Sequence, residues 1–251
     1  MRYTSAPARR VELERLLASE GYVSSADAAL RMGVSEMTIR RDLRLLEVDG
    51  RVRRVAGGAA PVGAGMPFER RDEVDGSYKR LIAEAAVAEI AGCRTVALDA
   101  GTTVAAMTPL LRAETVVTHS LPVITALASR RPESLVAVGG HYQVDTRAFA
   151  GPFAEAMLRN VRTDVAVLSA TALTADGLWG TNALDAAIKR ILAAQAERVV
   201  VVADGAKLGA RAPLRIADTA IADVVVTDAR ADVAIVAALR ARGLTVSIAA
   251  R

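Results

Sequence analysis

The stretch Val34 to Leu46, VSEMTIRRDLRLL, carries Thr38, Arg40, Arg41 and Arg44 among apolar residues. Hydroxyls and guanidiniums are the groups that grip phosphates and read base edges. Their spacing suits that use. Ser35 can cap a helix in which Ile39, Leu43 and Leu46 recur at i, i+4 and i+7, so one face is apolar and the arginines project from the others. Upstream, Ser24 and Ser25 can cap a short helix through Met32, and Gly33 supplies the turn between the two. Two helices joined by a tight turn, the second bearing arginines, make the geometry that enters a DNA groove.

A second set of candidates lies further along. DAGTT at Asp99 to Thr103 places a carboxylate, a glycine and two hydroxyls between an expected strand and an expected helix, where backbone N–H groups also converge. Such a place suits a phosphate; alternatively, Thr102 or Thr103 caps the helix and Gly101 only permits the turn. Other expected strands end in Thr118, His119 and Ser120, in Gly139, Gly140 and His141, and in Asp204 to Lys207. The chain has 29 arginines and three lysines, Lys79, Lys189 and Lys207. A compact ammonium just past a strand end makes Lys207 the preferred anion ligand, with chance placement as the alternative. His119 either meets a ligand or is a hydrogen-bonded scaffold residue, His141 reads as structural or solvent-facing, and Trp179 either covers a pocket or packs in the core. Cys93, the single cysteine, reads as an inert thiol. Two histidines and one cysteine form no metal-ligand cluster, so neither a metal nor a cofactor is expected.

The elements that must position these residues follow from patterning. At 251 residues and 52% apolar content the chain can hold two domains. Ala8 to Ser19 reads as a first helix closed by Gly21. After Asp49 and Gly50, RVRRVAGGA alternates Val52 and Val55 with Arg51, Arg53 and Arg54 and turns at Gly57 and Gly58, a small hairpin wing. Its arginines either reach phosphate or the minor groove or are solvated edge-strand charges. Residues 1–65 hold 11 arginines against 8 acids, so most of the net charge of +4 sits beside the helix-turn-helix pattern. Gly57 to Pro67, rich in Gly, Ala and Pro, reads as a linker. From Tyr78, Val-rich runs beginning near 95, 115, 135, 164, 199, 223 and 244 alternate with amphipathic stretches such as Lys79 to Ala91, Leu121 to Ser129 and Ala183 to Ala196. That alternation predicts an α/β domain with a mostly parallel sheet covered on both faces, whose ligands bind beyond the carboxyl ends of the strands. The domains expected are a winged helix-turn-helix over 1–60, a linker over 61–77 and an α/β effector-sensing domain over 78–251. With no run of 18 apolar residues and no signal peptide, the expectation is a cytoplasmic protein without a membrane partner.

GYVS at Gly21 to Ser24, followed by VSEMTIRRDLRLLEVDGRVRRVAGGA from Val34 to Ala59, resembles the DeoR family of bacterial transcriptional regulators, whose winged helix-turn-helix binds operator DNA. The resemblance implicates Ser35, Thr38, Arg40 and Arg41 in the recognition helix and Arg54 in the wing. Asp42, in the same motif, is expected to fix a neighbouring arginine, because a carboxylate near phosphate is repelled. DAGTT at Asp99 to Thr103, GGHY at Gly139 to Tyr142, FAGPFAE at Phe149 to Glu155 and DGAKLG at Asp204 to Gly209 look like the family's effector-sensing domain, similar in fold to ribose-phosphate isomerase and CoA-transferase proteins. By that resemblance Asp99, Gly101, Thr102, Thr103 and Lys207 line a sugar-phosphate site, with His119, Gly139 and Gly140 as further candidates. Asp185 and Lys189 match an acid and a lysine of the family, as pocket residues or as a helix-surface pair. One departure is His119, where the family commonly reads TNS; an imidazole in place of an amide changes which hydroxyls the site can accept. The function implied is a DNA-binding regulator, a repressor of carbohydrate genes and a homo-oligomer, whose operator affinity answers to a phosphorylated sugar. The alternatives are a sugar-phosphate isomerase-like enzyme with Asp99 or Asp204 as base, which lacks an evident second catalytic group, and a nonspecific nucleic-acid-binding module.

Overall fold

The computed structural model describes residues 5–20, 22–49, 51–55, 57–61, 68, 71, 75–130 and 134–250. Gly21 and Gly50, expected at helix ends, lie outside the described residues, as do linker residues 62–67 and Glu69 and Arg70. The chain divides into two units, Met1–Arg71 and Asp72–Arg251.

The first unit runs α1 (Ala6–Glu20), β1 (Val23–Ser24), α2 (Ser25–Met32), α3 (Glu36–Val48), β2 (Val52–Val55) and β3 (Gly58–Pro61). Ser24 caps α2 by accepting from Asp27 N, and Gly33, left-handed at φ 65°, ends it. Two residues later Ser35 caps α3 by accepting from Thr38 N. Leu13, Leu17, Ala28, Met32, Ile39, Leu43 and Leu46 from the three helices and Val52 from the hairpin share one core. Truncating a leucine in such a core costs about 2–5 kcal/mol. The hairpin pairs in the order β1-β3-β2. Gly58 stands against the backbone of β1, where a Cβ would meet Val23 O at 2.0 Å, so only glycine lets the strands approach.

The second unit contains α4 (Gly76–Glu89), β4 (Thr95–Leu98), α5 (Thr102–Ala105), β5 (Thr115–Thr118), α6 (Leu121–Ala128), β6 (Ser134–Ala137), β7 (His141–Gln143), β8 (Ala148–Ala150) and α7 (Pro152–Leu158). It continues with β9 (Thr163–Ser169), β10 (Ala172–Thr174), β11 (Gly177–Gly180), α8 (Ala183–Ala194), β12 (Ala196–Val202), β13 (Leu214–Ala217), β14 (Val224–Asp228), α9 (Val233–Ala241) and β15 (Thr245–Ala249). The seven Val-rich runs form one sheet in the order β15-β14-β12-β9-β4-β5-β6. Every neighbouring pair in it is parallel. Side chains alternate between its faces: Ala97, Ala166, Leu168 and Val201 pack with Leu158, Ile188, Leu192 and Leu239 from α7, α8 and α9. Val96, Leu98, Val165 and Val200 pack with Ile82, Ala86, Val104 and Val123 from α4, α5 and α6. Two small antiparallel pieces, β7–β8 and β10–β11–β13, were not expected from patterning.

Candidate functional site

In the first unit α3 turns Ile39, Asp42, Leu43 and Leu46 inward. Met37, Arg40, Arg41 and Arg44 are exposed. They recur at i, i+3, i+4 and i+7, one outward face. Arg40 holds Glu36 at 2.6 Å, an i,i+4 pair in which both side chains are wet and the energy is correspondingly small. Arg41 and Arg44 have no ion-pair partner among the described residues. Ser35 and Thr38 turn on each other instead: their hydroxyls lie 2.9 Å apart while Ser35 Oγ also accepts from Thr38 N. Arg53 and Arg54 are on β2, and Arg51 directly precedes it. Arg51 Nε lies 2.6 Å from Glu14 Oε1, and Arg54 N donates to Glu47 Oε1 at 2.9 Å. Asp42 does fix an arginine, but not a neighbouring one as expected: Arg9 Nε, 33 residues away on α1, donates to Asp42 Oδ2 at 2.8 Å, tying α1 to α3.

In the second unit the strand tips share one edge because the sheet is parallel, and a polar cluster forms under it. Asp99, His119 and Lys189 are 0%, 1% and 2% exposed. Lys189 Nζ donates to Asp99 Oδ2, lies 3.2 Å from Ser169 Oγ and 3.4 Å from Asp185 Oδ1. Ser169 donates to Asp99 Oδ2 through both N and Oγ at 2.8 Å. On the other side His119 Nε2 stands 3.2 Å from Asp99 Oδ1, while Nδ1 donates to Phe149 O at 2.8 Å. Both oxygens only accept, so both contacts are hydrogen bonds when each ring nitrogen carries a proton. Burial opposes the charge of Asp99, but Lys189 and His119 outweigh it and hold the carboxyl well below the usual carboxylate range. Burial also works against the Lys189 ammonium and is outweighed by Asp185 and Asp99, which raise it. Asp185 is pushed up, first by burial and then by the Asp99 charge.

The remaining candidates are distributed along the same edge. Thr102 and Thr103 begin α5 and are 3% and 2% exposed. Their hydroxyls have no hydrogen-bond partner among the described residues. Gly101 precedes them, and a Cβ there would meet Ser169 Cβ at 2.7 Å, so this glycine permits the close approach of β4 and β9 tips. Lys207 pairs with Asp204 at 3.2 Å with its side chain 30% exposed; it follows β12, which runs two strands, about 10 Å, from β4. Gly139 and Gly140 follow the edge strand β6, and a Cβ on Gly140 would meet Ala150 O at 2.8 Å. Neither is in contact with the Asp99 cluster through any hydrogen bond. His141 is solvent-exposed, Trp179 donates from Nε1 to Thr174 Oγ1 at 2.8 Å in the small sheet, and burial pushes the Cys93 thiol up. Ser169 was not singled out in the sequence, although it ends the strand DVAVLS. Lys189 was left between two readings; it makes both contacts at once, the i,i+4 pair and the reach to β4.

Residues 9–62 match the DeoR-like helix-turn-helix domain, and residues 75–229 match the DeoR C terminal sensor domain. The chain is 32% identical over 236 residues to a putative aga operon transcriptional repressor of Escherichia coli O157:H7, an alignment covering 90% of this chain and 88% of that one. It is 34% identical to the HTH-type transcriptional regulator GlpR of Haloferax volcanii, covering 86% and 87%. Similar solved structures include ribose 5-phosphate isomerase A from Neisseria gonorrhoeae, with a TM-score of 0.40 and 18% identity over 56% of this chain and 55% of that one. That partial overlay carries no argument about activity. Both domains matched in chain order, and relatives aligned over most of its length, place a helix-turn-helix domain ahead of a sensor domain: the chain belongs to the DeoR family of DNA-binding transcriptional regulators.

Proposed function

We propose that the protein represses carbohydrate-metabolism genes as a homo-oligomer on paired operator half-sites, and that a phosphorylated sugar bound at the strand tips of the second domain changes its operator affinity. The observation that carries the effector reading is the Ser120 hydroxyl, buried and without a hydrogen-bond partner among the described residues, at the same strand tips as the charged Asp99 cluster and the Thr102 and Thr103 hydroxyls. Buried hydroxyls without partners cost free energy, and a phosphate or sugar hydroxyl would satisfy them. Lys207 supplies a partly exposed ammonium for the anion, and Asp99 is the acceptor for sugar hydroxyls. Because Asp99, His119 and Lys189 are closed to solvent, a ligand that reaches them must displace part of what covers the cluster. It would then favour one conformation over another, the condition for a change in DNA affinity. Both Asp99 oxygens already accept hydrogen bonds, from Lys189 and Ser169 on one and from His119 on the other, which argues against a free base for the isomerase alternative.

The test is a thermal-shift screen of the purified full chain with pentose and hexose phosphates, followed by operator binding with each hit. A ligand at a hundredfold over its Kd should raise the midpoint by about 5–10 °C. Lys207→Ala should keep operator affinity and lose the ligand response. Absence of any stabilising phosphorylated sugar, or an intact response in Lys207→Ala and Thr103→Val together, would overturn the effector reading.

A further inference from the structure

We propose that Met37 reads a thymine in the operator by packing its side chain against the 5-methyl group in the major groove. Met37 is the second residue of α3 and 73% exposed. It projects about 180° from Leu46, straight away from the core. An apolar side chain held in water at the start of a recognition helix has no folding role, and the amino-terminal residues of such helices are the ones that meet base edges. Its neighbours on that face are Arg40, Arg41 and Arg44, three guanidiniums that match a polyanion and not an apolar protein surface.

The other amino-terminal side chains are engaged within the helix. Ser35 and Thr38 hold each other at 2.9 Å, and Glu36 holds Arg40 at 2.6 Å. Met37 is therefore the side chain of the first turn left to make a base contact, and its chemistry fits one feature of the major-groove code: the methyl that distinguishes thymine from cytosine and from uracil. Methionine adapts its three rotatable bonds to such a surface at little strain. The flanking Arg40 and Arg41 then fall over the adjoining phosphates or purines.

The inference rests on operator binding, and its test uses a property that phosphate contacts do not have. Full-length protein is used to select duplexes from a random pool, and each thymine of the selected half-site is replaced in turn by deoxyuridine. At one thymine per half-site the wild type should lose affinity about fourfold, the worth of one buried methyl group. Met37→Ala should bind thymine and uracil duplexes equally at that position, with an unchanged melting temperature, and Met37→Leu should keep the discrimination. A wild type indifferent to every deoxyuridine replacement, or a Met37→Ala variant that keeps the same thymine preference, overturns the assignment while leaving operator binding itself in place.

Discussion

Lys189 Nζ and the Asp99 carboxylate are in direct contact across 90 residues of sequence, in a site that water does not reach. The contact fastens α8 to the tip of β4, with Asp185 as the second carboxylate on the same ammonium. Lys189→Met should therefore strand the buried Asp99 carboxylate and leave half-buried Asp185 without its partner, and cost about 3–5 kcal/mol of stability. Pairing it with Asp99→Asn should recover part of that loss. Urea unfolding of the three variants measures it; equal midpoints for Lys189→Met and wild type would show that the pair ties nothing together.

Stability against pH carries the signature of the same cluster. Asp99 is lowered on folding, so its contribution is present above its ordinary value of 3.8 and is lost as pH falls below that toward the folded value. Lys189 is raised, so its contribution holds below 10.5 and is lost as pH climbs past it. Asp185 is raised from 3.8 and acts oppositely to Asp99, costing stability as it ionises. Asp99→Asn should accordingly flatten the acid limb of the urea midpoint below pH 3.8. A variant whose acid limb is as steep as wild type would place the acid sensitivity elsewhere.

Arg41 and Arg44, the arginines of α3 without an ion-pair partner among the described residues, should separate from the wing. Arg41→Ala and Arg44→Ala are each expected to cost about 1–3 kcal/mol of operator affinity with relaxed preference if they read bases, whereas Arg54→Ala should weaken all sequences alike and reduce the salt slope by about 1. Fluorescence anisotropy over a salt series distinguishes them. An Arg54→Ala variant with the wild-type slope would leave the wing solvated.

Asp42 makes a prediction about folding, not recognition. Its carboxylate is paired with Arg9 at 2.8 Å, with both side chains largely dry at 9% and 4% exposure. Asp42→Ala should lower the stability of the first unit by about 3–5 kcal/mol. The fraction that remains folded should bind operator with an unaltered salt slope. A variant as stable as wild type would remove the pair as the tie between α1 and α3.

The parts of this architecture that were legible in the sequence are those whose local pattern is also their tertiary role. A strand covered on both faces needs apolar residues throughout, so the inner strands of the sheet, β14, β12, β9, β4 and β5, stood out as Val-rich runs. The recognition helix was legible because its cap, apolar face and arginines fall within one stretch. By contrast β11, GLWG, begins and ends in glycine and reads as a turn; it is a strand because β10 and β13 lie on either side to pair with it. Asp99 was visible at its strand tip, but nothing in the residues around Lys189 tells that α8 lies over that tip. Local spacing offers only the Asp185 partner one turn away, and the longer reach depends on helix–sheet packing. Lys207 attracted notice by following a strand, which is a local property too, and its partner in the structure is the equally local Asp204.

Because Gly58 lets β3 press against β1, the wing is bolted to the segment joining α1 and α2 and does not hang from the end of α3. The span between the outward face of α3 and the wing is then a fixed dimension of the domain, like the gap of a caliper. Operators would have to be cut to that gauge, and a change that loosened the bolt, such as Gly58→Ala, would blur the ruler without altering any of the side chains proposed to meet DNA.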